Sequence, residues 1–95
     1  MIAEAIVCLA LNVYHEAKNQ SLSGQIAVAE VVMNRVADSR YPNNVCDVVK
    51  QGLTYKWKPS VPIRNQCQFS WYCDGKSDVA KEKEAWEESL SVAKG

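Results

Sequence analysis

The sequence has no apolar run approaching the roughly 18–20 residues that span a bilayer, so no membrane insertion is expected. It has no excess of charge either. Lysine plus arginine number 11, aspartate plus glutamate number 11, and the formal net charge is zero. A binder of phosphate backbones draws its affinity from surplus cations, so no nucleic-acid partner is expected. The opening Met1-Ile2-Ala3-Glu4 lacks a basic n-region, and no signal peptide is expected. His15 is the only histidine, and position 19 is asparagine, which excludes an HExxH zinc protease and any relay needing a second imidazole. No GxSxG elbow or phosphate-binding glycine loop occurs. With no internal repeat and no linker, residues 1–95 are expected to form one domain.

What is present begins with 47% apolar residues, enough for a core, and four cysteines. Cys8, Cys46, Cys67 and Cys73 lack CxxC spacing and histidine neighbours, so disulfides are favoured over zinc, and no metal site or cofactor is expected. Of the three possible pairings, the short loop favours Cys67 with Cys73, which leaves Cys8 with Cys46 by elimination. Bridges of this kind imply an oxidising compartment.

Ile2, Ile6, Leu9 and Val13 recur at the helical period and predict a helix over residues 2–18. A second helix is predicted over 22–38, capped by Ser21 or Ser23. Its segment 26–33 is apolar on most sides, which predicts a central, buried helix. Asn44 caps a short third helix, 45–51, ended by Gly52. Residues 53–66 show no period and contain Pro59 and Pro62, predicting a long surface loop that displays Tyr55 and Trp57. Gln68-Phe69-Ser70-Trp71-Tyr72 reads as a strand turned by Asp74-Gly75. A last helix is predicted over 78–94, capped by Ser77 or Asp78, with Trp86, Leu90 and Ala93 inward. The fold class is α+β, mostly helical with a short β element.

Cys8, Asn12 and Glu16 stand four residues apart and share one helix row. Asn12 is therefore placed to orient the Glu16 carboxyl group. Glu16 also sits in the last turn, where the negative end of the helix dipole favours a carboxyl that keeps its proton. A protonated carboxylic acid is the general acid that a glycosidic leaving oxygen requires. Glu30 and Asp47 are the candidates for a second carboxylate, Asp47 also as partner to a buried Arg35. The amides and aromatics of 68–72 suit sugars, which offer hydroxyls and C–H faces, and suit a half-buried strand equally.

Tyr14-His15-Glu16-Ala17, Gly24 to Ala29, Val32 to Val36, Tyr41-Pro42-Asn43 with Val45 to Val49, and Cys67 to Asp78 follow one another in an order that resembles the SleB-type cell wall hydrolases, with Trp86 beyond them. These are the spore cortex-lytic enzymes and their bacterial and phage relatives. The resemblance implies a lysozyme-like, lytic-transglycosylase-type domain without a cofactor. It implies cleavage of peptidoglycan glycan strands between N-acetylmuramic acid and N-acetylglucosamine, with Glu16 as the catalytic acid and base. Asn12, Tyr14, Gln25, Gln68, Ser70, Trp71 and Tyr72 are the expected substrate contacts. A hydrolytic muramidase and a non-catalytic peptidoglycan-binding domain are the alternatives on the same scaffold. A monomer acting at the cell wall is expected, periplasmic, extracellular or released by a phage as an endolysin. The family continues past the last helix into a Gly-rich segment, so the chain ending at Gly95 is expected to lack it. Lys18 stands where the family usually carries arginine.

Overall fold

Leu9, Ala10, Val13 and Ala17 are buried on the first helix, α1 (Ala3–Ala17), where the two small alanines let other helices approach closely. The computed structural model describes residues 2–55, 58–74 and 79–95, and for 53–55 and 58–65 the backbone alone. Around α1 pack α2 (Leu22–Ala37), α3 (Val45–Val49) and α4 (Lys83–Lys94). A hairpin of β1 (Gly52–Tyr55) and β2 (Lys58–Cys67) follows α3, and a 3-10 turn, Ser70–Cys73, follows the hairpin.

The central helix is α1, not α2 as its all-round apolar sequence predicts. Six residues of α1 are buried, against Gln25, Ala29 and Val32 alone in α2. Leu22, Ile26, Val31 and Met33 are left exposed. An apolar circumference shows that a helix can be covered on all sides; whether it is depends on how many neighbours the topology supplies. Leu9, Val13, Val32, Val48, Val49, Trp71 and Ala93 belong to one core cluster, with Trp86 and Leu90 partly buried against it. Ile2 lies outside, 72% exposed.

Helices α1 and α2 end within a residue of expectation. The Ser21 side chain accepts from the Gly24 amide at 3.3 Å, capping α2. Asn44 caps α3, its Oδ1 accepting from the Asp47 amide at 2.9 Å while its Nδ2 donates to the Asp47 carboxylate at 2.7 Å. Asp47 is thereby engaged at the cap and is not the partner of Arg35. The Arg35 guanidinium instead lies over the rings of Tyr41 and Phe69, at 5.3 and 5.4 Å, a cation–π arrangement. Asn44→Ala is expected to cost about 1 kcal/mol, read as a lowered urea midpoint at constant slope.

Helix α3 stops at Val49, because the Gln51 carbonyl is taken by the Gln68 amide at 2.8 Å and the chain leaves for the hairpin. The predicted loop is this hairpin. Its antiparallel register runs Gly52 to Cys67, Thr54 to Pro62 and Tyr55 to Lys58, with irregularities between. Those bulges erase the alternation that betrays a strand in sequence, and a two-stranded ribbon tolerates proline at such positions. Gly52 is required here: a Cβ would come within 2.7 Å of the Cys67 Cα. The side chains of Tyr55 and Trp57 lie outside the described residues.

The predicted strand 68–72 is the 3-10 turn instead, its Tyr72 amide donating to the Phe69 carbonyl. A cysteine closing a short disulfide loop favours such a tight turn over extended chain. Helix α4 begins at Lys83, five residues later than predicted, and Ser77 and Asp78 lie outside the described residues. Glu82 takes the N-cap without a side-chain cap, and its amide donates to the Tyr14 hydroxyl at 3.0 Å. A tertiary partner thus satisfies a donor at the start of the helix.

Both favoured disulfides are formed, Cys8–Cys46 joining α1 to α3 and Cys67–Cys73 closing the segment that holds the 3-10 turn. No described helix is long and apolar enough to cross a membrane.

Candidate active site

The row of Cys8, Asn12 and Glu16 runs along the flank of α1 that meets α3 and the 3-10 turn. Cys8 is bridged to Cys46, and the buried Asn12 Oδ1 accepts from the Trp71 Nε1–H at 2.9 Å. One turn further, Glu16 emerges exposed at the end of the row. The expected hydrogen bond from Asn12 to Glu16 is not formed, since Asn12 Nδ2 has no partner among the described residues. The Trp71 indole N–H satisfies the buried amide oxygen, where an unmade hydrogen bond is costly, and so ties the Asn12 side chain to the 3-10 turn.

Trp71 itself is 7% exposed, its ring stacked on His15 with centroids 4.7 Å apart and planes at 15°. Tyr72 meets the same indole edge-on at 6.0 Å and is half-buried. Gln68 and Ser70 are exposed on the same turn and its approach. The structure therefore gathers Asn12, His15, Glu16, Trp71 and Tyr72 around the C-terminal end of α1. It leaves Trp71 without an open face for a sugar.

Two expected substrate contacts are committed elsewhere. Tyr14 is 4% exposed, its hydroxyl taken by the Glu82 amide and its ring set edge-on to Trp86. Gln25 is 1% exposed, and its amide donates to the Gln20 carbonyl at 3.2 Å and to the Glu88 carboxylate. Lys18, two residues past Glu16, lies over the Tyr14 ring and pairs with Glu82 at 2.7 Å. The hydrogen bond to Glu82 raises the Lys18 pKa above its ordinary value. Two helical steps are about 200° of rotation, so the Lys18–Glu82 pair occupies the α4 side of α1, away from Glu16.

The two other expected carboxylates stand at other levels of α1. Glu30 lines a groove of about 670 Å³ together with Ile6, Leu9, Ile26, Met33 and Val92. At 1.5 Å per residue, Ile6 and Leu9 lie roughly 10–15 Å down the helix axis from Glu16. Asp47 adjoins Cys46, hence the level of Cys8, about 12 Å away on the same measure. The groove beside Glu30 thus meets α1 about two to three turns before the acid that the helix row singles out. His15 and the acidic partners Glu82 and Glu88 gave no local signal, because each is identified by a contact made across the fold.

A family model described as Cell Wall Hydrolase matches residues 19–95, which takes in α2, α3, the hairpin, the 3-10 turn and α4 and begins three residues after Glu16. The spore cortex-lytic enzyme of Bacillus subtilis is 38% identical over 47 residues, 50% of this chain and 15% of that protein. The spore cortex-lytic enzyme of Halalkalibacterium halodurans is 38% identical over 50 residues, 53% of this chain and 15% of that protein. No solved structure matches. With the match covering most of the chain, the chain belongs to the SleB-type cell wall hydrolase family.

Proposed function

We propose that this domain cleaves peptidoglycan glycan strands between N-acetylmuramic acid and N-acetylglucosamine by a lytic transglycosylase route on a lysozyme-like scaffold. The observation that carries the reading is the exposed Glu16 at the rim of the Trp71, His15 and Tyr72 cluster. Glu16 donates its proton to the leaving O4 of N-acetylglucosamine as the bond from the muramic C1 breaks. The muramic 6-hydroxyl then attacks C1, and its proton passes to the Glu16 carboxylate. One carboxyl group serves twice, and no water enters the product. A single exposed carboxyl group at that rim fits this route, which asks for no second carboxylate at the separation of about 5–9.5 Å found in two-carboxylate glycosidases. Tyr72, Gln68 and Ser70 supply the sugar contacts, and the cell wall is the site of action.

Mass spectrometry of soluble glycan strands after digestion tests the route. Anhydromuramic ends, lighter than hydrolysed ends by one water, are the expected product. Reducing ends would assign a muramidase instead, in which a second carboxylate activates a water. Binding without any cleavage would leave a peptidoglycan-binding domain.

A further inference from the structure

We infer that Trp71 is a positioning residue for Glu16, acting through Asn12 and His15 without touching the glycan. The inference rests on the reading of Glu16 as the catalytic acid. The indole grips α1 at two points in the turn that leads up to that residue. Its N–H bonds Asn12, one turn before Glu16 on the same row, and its face covers His15, the residue immediately preceding Glu16. Helix α1 ends one residue after Glu16, and Lys18 closes it in a helical conformation with its amide on the Tyr14 carbonyl. The last turn of a helix frays unless something outside it holds it. On this flank the indole does so. It is itself held by burial and by the Cys73 bridge two residues on. A carboxyl group that must meet both a leaving oxygen and a 6-hydroxyl loses rate steeply with small displacements.

The test uses the whole 95-residue chain and soluble glycan strands as the substrate. Trp71→Phe keeps a ring against His15 but removes the N–H, and Asn12→Ala removes the acceptor. Each is expected to lower kcat about 10-fold while KM stays within about 2-fold, because the glycan contacts are untouched. The double variant should be no worse than the poorer single one, since both delete the same hydrogen bond. A loss carried by KM, an unchanged kcat, or multiplying effects would overturn the proposal.

His15 is half-exposed, and its substitution tests the other side of the grip without threatening the core. His15→Ala should lower kcat, and His15→Phe, which restores the stacked ring, should recover most of the loss. Equal losses in both would show that the imidazole acts for itself, which also overturns the proposal. Glu16→Gln in the same assay separates the two levels of argument. An active Glu16→Gln protein removes the functional reading. An inactive one alongside a fully active Trp71→Phe protein removes only the positioning role.

Discussion

Glu16→Gln is expected to lower the turnover of peptidoglycan glycan strands by at least about 100-fold, the lower bound for losing a general acid. The substitution keeps the size and hydrogen-bonding shape of the side chain but leaves no proton to give or take. Folding should be little affected, because Glu16 is exposed and the charge removed stands at the negative end of α1. Turbidity loss on purified cell walls gives the rate, and a thermal melt gives the control. Asn12→Ala should cost less than Glu16→Gln, since the acid remains although its support is weakened. Full activity in a folded Glu16→Gln protein would end the assignment of the site, and the exposed face around Tyr72 would have to be searched for another acid.

The second large effect is on stability. Cys8–Cys46 spans 38 residues and encloses most of α1 and all of α2, whereas Cys67–Cys73 spans only 6. On the chain-entropy account the longer loop contributes about 4 kcal/mol and the shorter about 2. For a domain whose whole stability is on the order of 5–10 kcal/mol, losing the longer bridge is close to losing the fold at 37 °C. Urea unfolding of the paired Cys8→Ala, Cys46→Ala protein against the paired Cys67→Ala, Cys73→Ala protein should show the larger loss in the first. The activity order should be the reverse among molecules that remain folded, because the shorter bridge holds the turn that seats Trp71 against α1. If the shorter bridge proved the more stabilising, entropy of the unfolded chain would not be its main role, and the packing of Trp71 would be.

Local chemistry left clear marks in the sequence. The helical period of α1, the serine before α2, the asparagine before α3 and the short cysteine loop all report interactions completed within a few residues, and each is formed in the structure. The hairpin left no such mark, because bulges and prolines disrupt the alternation by which strands are recognised. The start of α4 was equally silent, since the group that meets its N-cap residue is the hydroxyl of Tyr14, 68 residues earlier.

The candidate site divides along the same line. The position of Glu16 on a row with Asn12 follows from helical geometry and needs no neighbour. What Asn12 does there depends on Trp71, 59 residues away, whose buried indole N–H takes the amide oxygen and ties the side chain to the 3-10 turn. Trp71 and Tyr72 look alike in sequence as sugar platforms, yet packing closes one against His15 and leaves the other partly open. Gln25 likewise turns from a candidate contact into a buried tie between α2 and Glu88 of α4. Residue types and their period were enough to place an acid at the end of a helix. Which polar and aromatic groups face a substrate, and which hold that helix still, was decided by long-range contacts, because burial is a property of what packs against a side chain and not of the side chain itself.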